Sequence, residues 1–181
     1  GFWKEGKPVQ TLESEIANPT SQPSLAGPGI KIWSVIIGVA SYKDMPTLRF
    51  TDDDAYRIYA FLKSPEGGAV ADEQIKLLID EAATRQNILN AMREVFYKAG
   101  PNDFVLLYFS GHGLPGAFLP IDYNGIDNKI FHQEINDMLK KSPAKYKLCI
   151  ADACHSGSML AARSVQSTQN TIVGFYNQLA Q

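Results

Sequence analysis

Two stretches of this chain, KLCIADACHSG at residues 147–157 and FVLLYFSGHG at residues 104–113, decide its fold. Each is an apolar run of strand length that ends abruptly in small and polar residues. Just beyond these ends stand Cys154 in the first stretch and His112 in the second. Ligands of open parallel α/β sheets bind at the carboxyl ends of the strands. Two adjacent parallel strands would therefore bring a thiol and an imidazole together, and the chain between them is long enough for a helical crossover.

The rest of the chain alternates apolar runs of strand length with segments of helical periodicity. The run KIWSVIIGVA is rich in β-branched residues, as is typical of a central strand buried on both faces. The predicted elements are a strand at 31–40, a helix at 51–64, a strand at 75–79, a helix at 85–99 capped by Thr84, a strand at 104–109, a helix at 131–141 and a strand at 146–151. This order predicts an α/β fold in three layers, with a mostly parallel sheet covered by helices on both faces.

Composition favours one globular domain with a tail. The chain has 181 residues, of which 45% are hydrophobic and 20% charged. Residues 1–29 are rich in Pro, Ser and Gly and are predicted to be a linker or N-terminal tail, leaving 30–181 as the domain. A net charge of −2 without a basic run gives no support for nucleic-acid binding. No apolar run is long enough to predict a membrane partner.

The two cysteines are expected to be reduced. Cys149 lies within a predicted strand and Cys154 just beyond it, and their odd separation directs them to opposite faces, which disfavours a disulfide. The cytoplasm is accordingly the favoured compartment. The adjacent His155 does not complete the spacing of a structural zinc site, so no metal is expected there.

The chemistry that these residues favour is nucleophilic catalysis. A free thiol is only slightly ionised near neutral pH and needs a base within reach, and His112 is the histidine placed to serve Cys154. The simpler alternatives are a loop histidine and an inert buried cysteine, and the second describes Cys149 well. His155 has either a local structural role or a part in shaping the site.

The strings YFSGHG and DACHSG, with the upstream LRFTDDDA, resemble caspase-like cysteine peptidases, most closely the metacaspase branch with its bacterial members. The resemblance runs from about residue 31 to 157. Asp152 and His155 stand where true caspases carry other residues, which favours the metacaspase side. The resemblance implies a caspase-like fold and a His112–Cys154 dyad that hydrolyses peptide bonds. It also implies that the oxyanion of the intermediate is bound by the backbone N–H groups of Gly113 and Cys154.

The resemblance further implies an acidic substrate pocket formed by Asp54, Ser110 and Asp152. A carboxylate two residues before a nucleophilic cysteine disfavours the thiolate unless a cation meets it, and in the family that cation is the Lys or Arg before the cleaved bond. Asp54 has an alternative interpretation as a helix cap, which also suits Asp52 and Asp53. Arg49, nearby, would instead favour an acidic substrate.

Two departures from the family pattern affect cofactors and auxiliary groups. Thr51 replaces a cysteine of the family motif and cannot act as an auxiliary thiol. The segment KIFHQE stands where many metacaspases carry paired aspartates that bind calcium, and only Asp122 and Asp127 remain nearby. We therefore expect no calcium requirement and no other cofactor.

The fold that the chain resembles continues after the cysteine with a small-subunit portion, which is expected to be a separate partner of the same precursor. Arg163 fits the basic specificity and is the candidate processing site within residues 158–181. The favoured function is therefore a processed cysteine endopeptidase that cuts protein substrates after Arg or Lys. The alternatives are a non-catalytic assembly or signalling module of the same fold, a peptidase with acidic specificity, and an enzyme with the same dyad and a different acyl substrate.

Overall fold

The computed structural model describes residues 29–153, which form a sheet with helices on both faces. Tail residues 1–28 and residues 154–181, which include Cys154, His155 and Arg163, lie outside the described part. The strands are β1 Ile32–Gly38, β2 Ile75–Ile79, β3 Phe104–Ser110, β4 Gly113–Leu114, β5 Ala117–Phe118, β6 Ile130–Phe131 and β7 Tyr146–Asp152, and the helices are α1 Thr51–Lys63, α2 Arg85–Phe96 and α3 His132–Lys141.

The main sheet has four described strands in the order β2-β1-β3-β7, and every neighbouring pair is parallel. The registers place Gly38, Ser110 and Asp152 opposite one another in a row across β1, β3 and β7. The carboxyl ends of three adjacent strands therefore meet at one edge. This is the arrangement that the two opening stretches of sequence predicted, with β3 and β7 as direct neighbours.

Alternate residues along β1 and β3 pack into two cores on opposite faces of the sheet. One core joins even-numbered positions such as Ile36, Leu106 and Tyr108 to α1. The other joins odd-numbered positions such as Val35 and Phe109 to α2 and α3. This double burial explains why the central strands are continuous apolar runs, and it confirms the predicted three-layer α/β/α architecture.

The predicted helix faces agree with the cores, with small shifts at the ends. The residues predicted for the inner face of α2 are all buried: Ile88, Leu89, Met92, Val95 and Phe96. The Thr84 side chain accepts a hydrogen bond from the Asn87 N–H at 3.2 Å, so the predicted N-cap is confirmed. Helix α2 ends at Phe96 rather than at Ala99, and β3 extends to Ser110.

The start of α1 corrects the prediction that Asp52 and Asp53 act as helix caps. The N-cap position is Phe50, with φ 71°, and no side chain caps the helix by a hydrogen bond. Asp52, Asp53 and Asp54 all lie in the first turn, where carboxylates are favoured by the helix dipole. The three acidic side chains are therefore not engaged as hydrogen-bonding caps, although they complement the positive end of the helix.

A second sheet, which the sequence did not predict, is antiparallel and has the order β4-β5-β6. Gly113 pairs with Phe118 and Leu114 with Ala117, while β5 pairs with β6. Strand β4 begins immediately after His112. The segment directly after β3 is consequently held by a sheet of its own. In the part of the chain that the structure describes, no helix has the length and apolar character needed to cross a membrane.

Candidate active site

The candidate site lies where β3 and β7 end side by side. Ser110 and Asp152 are register partners at these ends, and the N–H of Gly111 donates to the carbonyl oxygen of Asp152 at 3.2 Å. His112 follows this bond by one residue. On the β7 side, Cys154 follows Asp152 by two residues and lies outside the described residues. The described geometry therefore fixes the position of the imidazole and the point at which the chain leaves β7 toward the thiol.

The imidazole of His112 is half-buried and held through one of its nitrogens. Its Nε2 lies 2.7 Å from the carbonyl oxygen of Pro46. A carbonyl oxygen only accepts hydrogen bonds, so Nε2 carries a proton, and in the uncharged form of the ring the lone pair lies on Nδ1. The contact with Pro46 thus selects the tautomer in which Nδ1 is able to act as a base.

The main chain of His112 is held by Tyr42 and Leu119. The N–H of His112 donates to the Tyr42 hydroxyl at 2.9 Å, and that hydroxyl donates to the carbonyl oxygen of Leu119 at 2.7 Å. The N–H of Leu119 donates to the carbonyl oxygen of His112 at 3.0 Å. The Tyr42 ring also packs against the imidazole, with a centroid distance of 4.8 Å and a tilt of 55°.

The antiparallel pairing that joins His112 to Leu119 and β4 to β5 also determines the direction of the Gly113 N–H. Opposed residues in an antiparallel pair alternate between hydrogen-bonded and non-hydrogen-bonded positions. His112 and Leu119 form the bonded type, so Gly113 and Phe118 form the other type. The N–H of Gly113 therefore points away from β5. This direction is compatible with the predicted oxyanion-binding role of Gly113, while the second predicted donor, Cys154, lies outside the described residues.

The three residues predicted for the acidic pocket lie near one another on the α1 side of the sheet. Ser110 and Asp152 are neighbours at the ends of β3 and β7, and Asp54 is in the first turn of α1. A Cβ on Gly38, which is opposite Ser110, would lie 2.6 Å from the carbonyl oxygen of Thr51. The first turn of α1 therefore rests directly on the row of strand ends that contains Ser110 and Asp152.

The pKa of Tyr108 is affected by both carboxylates predicted for the acidic pocket. Burial is the main cause that raises the pKa of its phenol, and the charges of Asp54 and Asp152 raise it further. The Ser110 hydroxyl acts in the opposite direction and lowers the pKa of Tyr108. Ser110 is fully buried and its hydroxyl makes no hydrogen bond of ordinary length within the described residues, although it lies close enough to affect Tyr108. Tyr108 therefore borders the pocket.

Asp54, one of the residues predicted for the acidic pocket, lies near a cation of its own chain. Arg57 lies 3.6 Å from Asp54 across one turn of α1, with side chains 77% and 39% exposed respectively. An ion pair this exposed contributes little to stability and exchanges readily with solvent ions. Arg49, the residue that would favour an acidic substrate, is exposed in the loop before α1.

The remaining candidate residues have other surroundings. Cys149 packs against the core on the α2 and α3 side, and burial raises the pKa of its thiol to about 12, in agreement with an inert cysteine. The carboxylate of Asp122 accepts the N–H of Arg85 at 2.8 Å, whereas Asp127 lies in an exposed loop. Within residues 29–153, no three His, Cys, Asp or Glu side chains are grouped as metal ligands would be.

Sequence reasoning missed Tyr42, Pro46 and Tyr108. Pro46 contributes a main-chain carbonyl, which every residue type possesses, so no sequence signal identifies it. Tyr42 lies in a loop without periodicity, where an aromatic residue has no predicted partner. Tyr108 is part of the continuous apolar run of β3, and its parity with Ser110 was the signal that it shares the pocket's face.

The fold and this edge of the sheet define a caspase-like protein, and comparison with known proteins agrees. A family model described as the caspase domain, of peptidase family C14, matches residues 31–177. The chain therefore belongs to the caspase-domain family, which is a family of cysteine-type peptidases.

Within this family the chain is similar to metacaspases. It is 31% identical to Metacaspase-1 of Eremothecium gossypii over 160 residues, which cover 77% of this chain and 35% of that protein. It is 28% identical to Metacaspase-1 of Saccharomyces cerevisiae over 160 residues, which cover 77% and 36% of the two chains. It is 30% identical to Metacaspase-1 of Cryptococcus neoformans over 159 residues, covering 77% and 34%. The chain thus spans about a third of the length of these relatives.

A solved structure supports the fold independently. The crystal structure of protein GSU0716 from Geobacter sulfurreducens superposes with a TM-score of 0.55 at 20% sequence identity. The superposition covers 83% of this chain and 65% of that chain. At this level of identity the likeness concerns the arrangement of strands and helices alone.

Proposed function

We propose that this protein is a cysteine endopeptidase that cleaves peptide bonds after Arg or Lys, with Cys154 as nucleophile and His112 as its base. The observation that supports the proposal most directly is the state of His112 at the end of β3. Its Nε2 is committed to Pro46 at 2.7 Å, which leaves Nδ1 as a proton acceptor beside the strand end that leads to Cys154.

The proposed reaction runs in two halves. Nδ1 of His112 takes the thiol proton of Cys154, and the thiolate attacks the carbonyl carbon of the substrate. The tetrahedral oxyanion is bound by the N–H groups of Gly113 and Cys154. The C–N bond then breaks as the imidazolium returns the proton to the leaving amine. Water attacks the resulting thioester with His112 as base, the C–S bond breaks, and the thiol is restored.

Basic specificity is supported by the charges on the α1 side of the strand ends. The charges of Asp54 and Asp152 both raise the pKa of Tyr108, so the two carboxylates lie near the same side chain. A long substrate cation would pair with both carboxylates, with Ser110 as an additional acceptor. Arg57 would give up its exposed contact with Asp54 when the substrate enters.

We further propose that β7 pairs with a small-subunit portion of the same precursor. In the described part of the chain β7 has one neighbour, β3, so its other edge presents unpaired backbone groups. On the α1 side of β7, Ile150 is 40% exposed and Leu148 is only half-buried. An added strand would satisfy the backbone groups, and side chains that accompany it would cover this apolar strip.

We also propose that catalysis does not require calcium. Two of the acidic groups in and near the segment KIFHQE, Asp122 and Glu134, are engaged with this chain's own donors. Asp122 accepts the Arg85 N–H, and Glu134 pairs with the Arg85 guanidinium and accepts the N–H of Phe131 at 3.0 Å. Recruiting these carboxylates to a cation would break bonds that hold α2 and α3 together.

The test compares three fluorogenic peptides that differ only in having Arg, Lys or Asp before the cleaved bond. We expect cleavage of the first two by the wild type, at equal rates in chelator and in millimolar calcium. His112→Ala and Cys154→Ala should each lose at least a thousandfold in kcat/KM, whereas Cys149→Ala serves as the matched control and should retain activity.

Four results would each contradict one part of this proposal. Cleavage after Asp would exclude the acidic pocket as the specificity site. So would an Asp152→Asn variant that cleaves the Arg peptide with the kcat/KM of the wild type. Full activity of His112→Ala would exclude the dyad. Strict dependence on calcium would exclude the proposed metal independence while leaving the dyad intact.

A further inference from the structure

His112 is held from two directions by the loop of residues 40–48, which is closed by a hydrogen bond from the Leu48 N–H to the Ala40 carbonyl at 3.0 Å. Pro46 of this loop accepts from the ring, and Tyr42 of the same loop contacts both the ring and the main chain. The loop is itself anchored, because the Asp80 carboxylate accepts from Ala40 at 2.7 Å. The position of the base is thus determined by a segment distant from it in sequence.

The Tyr42 hydroxyl occupies an unusual place in the ladder between the segment at His112 and β5. In a regular antiparallel pair, His112 and Leu119 would exchange two direct N–H···O bonds. One of these is present, from the Leu119 N–H to the His112 carbonyl. The other is replaced by a relay in which the His112 N–H donates to the Tyr42 hydroxyl, which in turn donates to the Leu119 carbonyl. The phenol oxygen is therefore inserted into the ladder beside the proposed base.

The Tyr42 hydroxyl fits into the ladder because the neighbouring residue, Gly111, has no side chain. A Cβ on Gly111 would lie only 2.7 Å from the Tyr42 oxygen, so a glycine at this position leaves the space that the hydroxyl fills. Tyr42 is 6% exposed, and burial raises the pKa of its phenol, with the hydrogen bond from His112 acting in the opposite direction. The phenol consequently stays protonated near neutral pH, which the donation to Leu119 requires.

We propose that Tyr42 is a positioning residue for His112, and that its inserted hydroxyl keeps the imidazole at the separation from β5 at which Nδ1 serves the nucleophile. This inference rests on the proposed peptidase function. Without the hydroxyl, the buried His112 N–H and Leu119 carbonyl either lose their partners or close into a direct bond. In the second case the main chain of His112 moves toward β5 and carries the imidazole with it.

The test uses Tyr42→Phe, which removes one oxygen and keeps the ring that packs against His112. The matched control is Tyr123→Phe, because the Tyr123 hydroxyl also donates to a carbonyl, that of Gly125, at 2.7 Å, but in an exposed loop. For Tyr42→Phe we expect kcat for the Arg peptide to fall between 10-fold and 100-fold and KM to change less than 2-fold. Tyr123→Phe should keep both constants.

Two further measurements separate positioning from loss of folding. In a Cys149→Ala background, alkylation of Cys154 by iodoacetamide should slow in Tyr42→Phe by about the same factor as kcat. Hydrogen exchange of the His112 amide, followed by NMR, should also change in Tyr42→Phe while amides within β1 keep their protection. Gly111→Ala is a second variant that should lower kcat, since its methyl group would lie 2.7 Å from the Tyr42 oxygen and 3.1 Å from the Phe109 ring.

The outcomes distinguish this inference from the proposed function. A wild type that cleaves the peptide, with an inactive His112→Ala and a Tyr42→Phe of normal kcat, would overturn the role of Tyr42 alone. Unchanged exchange of the His112 amide in Tyr42→Phe would overturn it as well. An inactive wild type, or an active His112→Ala, would remove the proposed function and this inference with it.

Discussion

At the scale of single residues, Asp103 shows how one buried carboxylate joins the start of β1 to the turn before β3. It lies just before β3 and is 7% exposed. Its oxygens accept from the Trp33 indole at 2.8 Å, the Lys31 N–H at 3.0 Å and the Gly100 N–H at 2.7 Å. Burial alone would raise the pKa of Asp103, but these hydrogen bonds outweigh it and hold the pKa below its ordinary value.

We predict that Asp103→Ala lowers the free energy of unfolding at pH 7 by roughly 2–3 kcal/mol, because a buried indole N–H loses its partner along with two backbone donors. A lowered carboxylate pKa contributes stability that is present above the unfolded pKa, about 3.9, and lost as the pH falls through the folded value. The wild type should therefore lose stability below about pH 4 more steeply than the variant.

Urea unfolding followed by tryptophan fluorescence at a series of pH values measures both effects of Asp103→Ala. Asp127→Ala, in an exposed loop, is the control and should remain within about 0.5 kcal/mol of the wild type. Parallel pH profiles for the wild type and Asp103→Ala would contradict the electrostatic part of this explanation.

At the scale of elements, the placement of α1 depends on the absence of a side chain at Gly38. A Cβ there would lie 2.6 Å from the Thr51 carbonyl oxygen and 2.8 Å from the Ala55 Cβ, closer than such atoms approach in proteins. The helix therefore touches the backbone of β1. This close contact is what brings Asp54, in the first turn of α1, to the edge where β3 and β7 end.

We predict that Gly38→Ala moves the start of α1 away from the sheet and lowers the free energy of unfolding by about 1–3 kcal/mol. Because Asp54 moves with the helix, KM for Arg and Lys peptides should rise more than kcat falls. Gly100→Ala is the matched control, since its Cβ would make only an ordinary contact of 3.4 Å with Asp103. A Gly38→Ala protein with normal KM would show that the proposed pocket does not depend on the position of α1.

The elements also show which features the sequence was able to predict. Strands buried on both faces, such as β1 and β3, give long apolar runs, and the inner face of α2 gives a helical period, so both were found. The strands β4, β5 and β6 have two residues each, too few for any periodicity, and the antiparallel sheet that they form was not predicted. Phe50 at the N-cap of α1 contradicts the preference for Asp, because packing against β1 decides where this helix begins.

The residues of the candidate site also fall into those that the sequence could predict and those that it could not. His112 and Asp152 were predictable because each stands at the end of an apolar run, where the change from apolar to polar residues is visible in the sequence. Tyr42 and Pro46 act through a loop whose path is fixed by long-range hydrogen bonds, to Leu119 and to His112. Such bonds join positions more than sixty residues apart and leave no local pattern.

At the scale of the whole molecule, β7 has an edge that the described part of the chain leaves open, and apolar side chains accompany it. If the partner of this edge comes from the same precursor, the segment between β7 and that partner is the place where a peptidase with basic specificity would cut itself. Arg163 is the candidate within residues 158–181. Cleavage there would separate the two portions without removing the strands that hold the site.

We predict that a precursor containing this chain and its downstream portion is cleaved after Arg163 when Cys154 is intact, and that Cys154→Ala stays uncut. Arg163→Gln should slow the cleavage at least 10-fold, because the glutamine carries no charge to meet Asp54 and Asp152. Arg93→Gln is the control, since Arg93 is exposed on α2, which packs on the face of the sheet opposite to α1. Intact-mass analysis measures each product. Cleavage of the Cys154→Ala precursor when it is purified alone would show that another peptidase performs the cut.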